Sequence, residues 1–412
     1  MDGAKARRRR LALATLGALA VLGFAAGAVL GSGSGGGPGG SAGLREVHCA
    51  EAGTTAGGCV PKVEIPAGAA AMPVPTPADP LTPAQLAGER IVVGLDGTGL
   101  TPALKGAIRD GKVAGVVLFE ADFPSRAAGR ELIRALQAVA RPKPLRRFPL
   151  LVMTDQEGGE VKRVDGAPEA SAATMGAEGP AFAHREGSAT AKNLRALGVN
   201  VDLAPVLDVG RPGGVIEETE RAFGTTAGRV AATAVPFATG LQAGGVAATA
   251  KHFPGLGTAT ENTDFEAQRL DLSKAELRSV DEAPYRPYIA AGGKLVMVGT
   301  AIYPAFGSRP AAFNRRIVTG ELRGRLGFHG VTITDSLGSA AVAEFGGQRE
   351  AAVDGVSAGD DLLLFDDLPS ALAGHEALVK QLAKGALKRP PFLDAANRVL
   401  RLRGAVGRAS IG

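Results

Sequence analysis

Apolar residues along this chain fall into short, nearly continuous runs separated by longer stretches of mixed polarity. The runs are IVVGL (91–95), VAGVVLF (113–119), PLLVMT (149–154), VNVDL (199–203), GVAATA (245–250), KLVMVG (294–299), GVTIT (330–334) and DLLLF (361–365). Strands that are apolar at nearly every position belong to parallel sheets covered on both faces. Between the runs the polarity turns helical, as in AHREGSATAKNLRALG (183–198) and SKAELRSVDEAPYRPYIAAGG (273–293). The second of these opens with Ser273 and Glu276 at capping-box spacing. Eight strand–helix alternations over residues 81–405 predict an α/β fold, a single (β/α)8 barrel of the TIM type. A terminal helix around FLDAANRVLRLRG would close it, leaving 406–412 as a tail. An open doubly wound sheet competes with this reading, but no GxGxxG follows the first strand.

Ahead of the barrel the pattern changes. Arg7 to Arg10 precede twenty uncharged residues, LALATLGALAVLGFAAGAVL (11–30). As a helix this run would span about 30 Å, the thickness of a hydrocarbon core. Residues 1–30 therefore predict a membrane anchor or a cleaved export signal, with the rest of the chain outside the cytoplasmic membrane. Residues 31–80 read as a linker, flexible in GSGSGGGPGG (31–40) and stiffer in the Pro-rich 61–80. Cys49 and Cys59 lie within it, either as a small disulfide loop or as two free thiols.

Composition narrows the function. With 412 residues, 45% hydrophobic and 21% charged, the chain is neither disordered, collagenous nor a polytopic membrane protein. Of the formal net charge of +5, residues 1–10 hold +4 (Lys5 and Arg7 to Arg10 against Asp2), which leaves +1 for everything after. Such a balance gives a folded domain no basic face for nucleic acid. Two Cys, and five His without HxH or HExxH spacing, supply no zinc or iron–sulfur framework.

A barrel of this type places its chemistry immediately after its strands. Those positions hold Asp155, Gln156 and Glu157 after the third run, Asp202 and Asp208 around the fourth, Lys251 and His252 after the fifth, and Asp335 after the seventh. A carboxylate delivered as Asp335 is suited to attack a sugar's anomeric carbon; equally, it would serve as the N-cap of the next helix. Lys251 and His252 would grip hydroxyls, unless Lys251 is committed to a structural carboxylate. Asp155 would accept two hydroxyls, or hold its loop through a salt bridge to Arg163. Arg221, in ERAFG (220–224), adds a donor. The chain lacks Trp, so Tyr303 and Phe306 after the sixth run either offer sugar-stacking faces or pack the loop.

TDQEGGEVKRV (154–164), NVDLAPVLDV (200–209), ERAFG, KHFPGLG (251–257) and TITDSLGSA (332–340) together resemble glycoside hydrolase family 3, in particular its single-barrel β-N-acetylhexosaminidases, over residues 81–405. The resemblance implies that Asp335 is the nucleophile of a retaining mechanism without metal or cofactor, and that Asp155, Arg221, Lys251 and His252 bind the sugar; Arg163, on the Asp155 loop, is counted with them as a candidate substrate-binding residue. The resemblance also implies a carbohydrate as partner, while the charge balance argues against nucleic acid, the N-terminal segment points to contact with a membrane, and a monomer is expected. One departure matters. Family members usually read KHFPGHG followed by Asp-x-His, whose pair is the general acid/base, whereas this chain reads KHFPGLGTATENTDFE (251–266). Leu256 replaces the first His, and Asp264 is followed by Phe265 and Glu266. Glu266 occupies the place of the missing His and ranks ahead of Glu261 as acid/base, with Asp264 on the same loop. His329 precedes the seventh strand and falls at the wrong end of the barrel. The expected activity is removal of terminal β-linked N-acetylglucosamine or a similar sugar from cell-wall or related glycans by an exported enzyme. A sugar-binding barrel that no longer hydrolyses and a β-glucosidase-type specificity are the alternatives.

Overall fold

The computed structural model describes residues 78–409, so the apolar segment 11–30, nearly all of the linker and the pair Cys49 and Cys59 lie outside the described residues. Eight strands form one parallel sheet: β1 (Ile91–Gly94), β2 (Gly115–Val117), β3 (Leu151–Thr154), β4 (Val201–Asp202), β5 (Ala247–Phe253), β6 (Leu295–Val298), β7 (Val331–Thr334) and β8 (Leu363–Phe365). Each pairs with its sequence neighbours, and β8 also pairs with β1. The seam between β7 and β8 is held by one bridge, Ile333 to Leu362, with the Thr334 amide donating to the Leu362 carbonyl at 3.0 Å. The sheet thus curls into a TIM-like barrel, with helices between successive strands.

Alternation of side chains explains the continuous apolar runs. Val92, Leu151, Met153, Leu295, Met297, Val331, Ile333, Leu362 and Leu364 fill the barrel interior. Their neighbours Ile91, Val93, Leu150, Val152, Val296, Val298, Leu363 and Phe365 face the helical layer. Strand residues alternate between faces, so burial on both sides demands apolar residues at every position.

The final helix, Arg389–Ala409, crosses the end of the barrel where the strands begin. Its Val399, Leu402 and Val406 join the interior cluster as a plug. Arg398 donates to Asp361 at 2.8 Å, just ahead of β8, and Arg403 donates to the carbonyls of Pro149 and Phe148 at 2.8 and 3.0 Å and to the carboxylate of Glu89. Burial alone would raise the Asp361 carboxyl, but Arg323 and Arg398 outweigh it and hold it low.

Three local expectations change. The fifth strand runs to Phe253, taking Lys251 and His252 into the sheet, because the chain after β4 pairs with it (Lys251 N to Pro205 O at 3.1 Å, Leu207 N to Lys251 O at 2.6 Å). The segment 273–293 is not one helix but a short turn, Lys274–Glu276, a wider i→i+5 turn closed by Glu282 N to Leu277 O at 2.7 Å, and a helix over Tyr285–Ala290. Pro284, which has no amide to donate, stands at the break. Ser273 does cap the first turn, accepting from Glu276 N at 3.1 Å, whereas the Glu276 carboxylate goes to Arg211 at 3.5 Å. The last helix runs past 405, to Ala409. Among the described residues no helix is long and apolar enough to cross a membrane.

Because Leu402 fills the closed end of the barrel, Leu402→Ala should lower stability by about 2–4 kcal/mol, read as a lower urea midpoint with an unchanged slope.

Candidate active site

The rim formed by the strand ends carries a buried charge network. Asp155 follows β3 directly, and Gln156–Gly158 then pairs with Val161–Lys162 as a small antiparallel ribbon. Gly158 makes that turn at φ +99°, where a Cβ would fall 2.1 Å from the Ala170 carbonyl oxygen. Gln156 staples the loop: its Oε1 accepts from the Arg163 and Val164 amides at 3.1 and 3.0 Å, and its Nε2 donates to the carbonyls of Val164 and Ala167.

Lys251, delivered by β5, donates from Nζ to Asp155 Oδ1 at 2.5 Å and reaches Glu157 Oε1 at 2.8 Å. Arg221 grips the same Glu157 with both arms, Nε to Oε2 and Nη2 to Oε1, each at 2.8 Å. Two cations thus face two carboxylates in a site where Lys251 and Glu157 are each only 3% exposed. Burial would raise the Glu157 carboxyl, yet Arg221 and Lys251 overcome it and hold it well below the usual carboxylate range. For Lys251 burial pulls the ammonium down, and Asp155 and Glu157 more than restore it. Next to this balanced quartet lies Asp202, fully buried. One of its oxygens accepts from the Gln156 amide at 3.0 Å, and the other is without a partner. Burial pushes the Asp202 carboxyl far up, against the opposing pull of the Gln156 amide and the Lys251 charge.

His252 is positioned by Asp208, which follows β4. Asp208 Oδ1 accepts from the amides of His252 and Leu256 at 3.1 and 2.7 Å, and its Oδ2 lies 2.7 Å from His252 Nδ1. A buried carboxylate only accepts, so Nδ1 carries the proton and Nε2 is left for another partner.

Asp335 follows β7, with its amide on the Val298 carbonyl at 2.9 Å and its Oδ1 accepting from Ser336 N at 2.9 Å. It caps no helix; the next helical segment, Ala340–Phe345, begins after Ser339. The loop that carries the departure from the family pattern folds over this position. Its backbone is docked by Ala340 N to Asp264 O at 3.1 Å, and Asp264 is set by Asn262, whose Oδ1 accepts from the Asp264 amide at 3.0 Å. Asp264 has an accessible side chain in a crowded mouth. Desolvation, then the charge of Asp335, pushes its carboxyl up to about 6. Asp366, after β8, also belongs to this mouth; burial, then nearby Asp335, raises it. Its Oδ1 accepts from Ser336 Oγ at 2.5 Å.

Several sequence-based expectations are resolved. Asp155, Lys251, Glu157 and Arg221 come together, and Lys251 has carboxylate partners that are themselves rim residues. Asp155 pairs with Lys251 and not with Arg163, because β5 brings the ammonium to it directly; Arg163 keeps a buried Nε without a partner. Glu266 and Asp264 are both exposed, and Asp264 is the loop carboxyl that the charge of Asp335 raises. Tyr303 and Phe306 are buried, Tyr303 donating to the Gly255 carbonyl at 2.7 Å, so both pack the loop instead of offering stacking faces. Phe265 instead, 59% exposed, is the one large apolar side chain open to solvent among the described residues. The roles of Asp208, Asp202 and Asp366 escaped the sequence reading. Asp202 and Asp208 were visible as carboxylates around the fourth run but carried no assigned role; Asp366 follows the eighth run just as directly as Asp335 follows the seventh.

Glu157 has a depressed folded value, so its contribution to stability is present above the ordinary carboxylate range and lost on acidification. Glu157→Gln leaves Lys251 and Arg221 undercompensated and should cost about 3 kcal/mol or more at neutral pH; urea unfolding across pH should also show a flatter acid limb than in the parent.

Comparison with known proteins follows the same lines. Residues 95–402 match the model of the glycosyl hydrolase family 3 N terminal domain. A protein of Arthroderma benhamiae described as an uncharacterized secreted glycosyl hydrolase is 36% identical over 341 residues, 80% of this chain and 96% of the relative. A beta-hexosaminidase of Stenotrophomonas maltophilia is 35% identical over 316 residues, 72% of this chain and 92% of that protein. The crystal structure of a beta-N-acetylhexosaminidase from Beutenbergia cavernae superposes with a TM-score of 0.73 at 33% identity, over 79% of this chain and 99% of the other. The chain therefore belongs to glycoside hydrolase family 3, as a glycoside hydrolase of β-N-acetylhexosaminidase type.

Proposed function

We propose that this hydrolase is an exported retaining exo-enzyme that removes terminal β-linked N-acetylglucosamine, or a closely similar sugar, from cell-wall or related glycans. The observation that carries this reading is the pairing at the mouth of two unlike carboxyls, Asp335 on a strand end and Asp264 on the loop docked above it. Asp335 attacks the anomeric carbon while Asp264, protonated, gives its proton to the departing oxygen. The leaving alcohol departs and a glycosyl ester of Asp335 remains. Asp264, now ionised, then takes a proton from water as its oxygen attacks that carbon, which releases the sugar and restores both carboxyls. Asp264 thus takes the acid/base role in place of Glu266, since it is the loop carboxyl held against Asp335. A raised value near 6 keeps a usable fraction protonated.

Sugar hydroxyls would be held by Asp155, Lys251, Arg221, Arg163 and His252 Nε2. The quartet is internally balanced, so a neutral sugar exchanges hydrogen bonds with it and adds no net charge. Phe265 supplies the aromatic face that a chain without Trp otherwise lacks. Export rests on Arg7 to Arg10 ahead of the apolar run 11–30, and on the secreted description of the Arthroderma benhamiae relative.

The test uses nitrophenyl β-N-acetylglucosaminide, nitrophenyl β-glucoside and an N-acetylglucosamine disaccharide. Asp335→Asn should abolish turnover of all three. Asp264→Asn should lower kcat/KM on the disaccharide by about 10²–10⁴-fold, with a smaller loss on nitrophenyl substrates, whose leaving groups need little protonation. Since the acid must be protonated, parent kcat/KM should fall as pH rises through about 6, and that limb should vanish in Asp264→Asn. A larger loss in Glu266→Gln than in Asp264→Asn would return the role to Glu266. Failure of the parent to turn over any substrate while it still binds N-acetylglucosamine would establish the non-hydrolysing barrel.

A further inference from the structure

The end of the barrel opposite the rim holds a second concave site. A cavity of about 710 Å³ opens where the C-terminal part of the helix Arg126–Ala138, the segment that leads into β3, the end of the helix Pro180–Arg195 and the last turns of the C-terminal helix meet. Six arginines line it: Arg130, Arg134, Arg141, Arg146, Arg147 and Arg195. Its remaining lining is Gln137, Asn200 and apolar or glycine residues, without a single carboxylate. In a chain that carries only +1 beyond residue 10, this is a marked concentration of one sign.

Structural duties account for part of the cluster. Arg141 Nη1 donates to the Gln137 carbonyl at 3.2 Å, Arg195 Nη1 to the Gly244 carbonyl at 3.1 Å, and Arg147 lies over the Phe148 ring. These groups sit near helix C-termini, where cations are favoured. The remainder has no such explanation. Arg130 and Arg134 stand four residues apart on one helix, a spacing at which like charges repel. The side chains of Arg130, Arg134 and Arg146 have no ion-pair or hydrogen-bond partner among the described residues. Arg141 Nε is buried and unpaired. The nearby buried carboxylate, Glu89, is already taken by Arg403. Burial, and then the charge of Arg403, pulls the Arg141 guanidinium down.

We propose that this cavity is a phosphate-binding site. Guanidinium forks present paired N–H donors matched to tetrahedral oxyanions, and they are better suited to this than ammonium groups. A lone carboxylate is satisfied by one such fork, whereas forks converging from separate segments suit a group with three or more oxygens. The open cleft, of about 710 Å³, has room for a ligand of headgroup size, and either a phospholipid headgroup or a short soluble phosphate chain supplies the same chemistry. The site is independent of the hydrolytic reading, because it lies at the far end of the barrel from Asp335.

The full-length chain in phosphatidylcholine vesicles is titrated with sodium tripolyphosphate at low ionic strength. Saturable binding is expected, weakened about tenfold or more, equivalent to about 1.4 kcal/mol, in Arg130→Ala/Arg134→Ala. Those two side chains have no partner in the fold, so the double variant should keep the parent's urea midpoint and nitrophenyl turnover. The titration is then repeated in vesicles that contain phosphatidylglycerol. A loss of tripolyphosphate affinity in the parent that exceeds the loss in the double variant identifies lipid headgroups as the natural source. Equal losses in both proteins identify a soluble phosphate ligand. No saturable binding in phosphatidylcholine, or equal affinity of parent and double variant there, overturns the proposal.

Discussion

The ammonium of Lys251 is the point on which the rim is built. It is almost completely buried and bridges Asp155 from β3 to Glu157 from the ribbon beyond it, while Arg221 closes the other side of Glu157. Removing these charges from water costs several kcal/mol each, and only mutual pairing with good geometry recovers it. The four side chains come from three separate stretches of sequence, so the network forms only once β3 and β5 are in register around β4. It therefore acts as a specification of the barrel's open end, holding a grid of donors and acceptors in place before any sugar arrives. Asp202 shows the other side of the same economy of charge: buried beside the balanced quartet and held by the Gln156 amide, its carboxyl is pushed far up by desolvation.

The two ends of the barrel differ in kind. At the rim, irregular loops are pinned by side-chain acceptors: Gln156 on its own loop, and Asp208 on the turn after β5. At the opposite end the C-terminal helix drives Val399, Leu402 and Val406 into the interior, and Arg398 and Arg403 satisfy groups ahead of β8, β1 and β3. One end is closed by apolar packing with charges at its margins. The other is left open with charges in its floor. This division lets the sugar site be varied by loop sequence without disturbing the core.

Variation of that kind is visible in the loop 258–266. The family's histidine is absent, and the loop carries Asp264 on a docked Asx-type turn whose carboxyl is raised by desolvation and then by the charge of Asp335. In the proposed mechanism this raised carboxyl takes the part that a histidine's intrinsic basicity would otherwise provide. The same turn leaves Phe265 exposed, so one short segment bears both the proposed proton donor and an aromatic face.

By itself the sequence determined the barrel. Period and burial are local signals, and eight apolar runs with helical stretches between them admit few other topologies. It also determined which strand ends bear ionisable groups, since Asp155, Lys251, His252 and Asp335 each follow a run directly. It did not determine the partners. Asp155 is eight residues from Arg163 and 96 from Lys251, yet pairs with the latter, because strand register and not chain distance sets what meets at the rim. For the same reason the proposal of Asp264 over Glu266 draws on the fold: the loop docks through Ala340 N to Asp264 O, and it is the Asp264 carboxyl that the charge of Asp335 raises. Tyr303 and Phe306 looked available and were buried, and the arginine cavity draws on residues from 130 to 195 that carry no shared motif. Local pattern fixes where a side chain stands along its element, and only the closed barrel decides what stands opposite it.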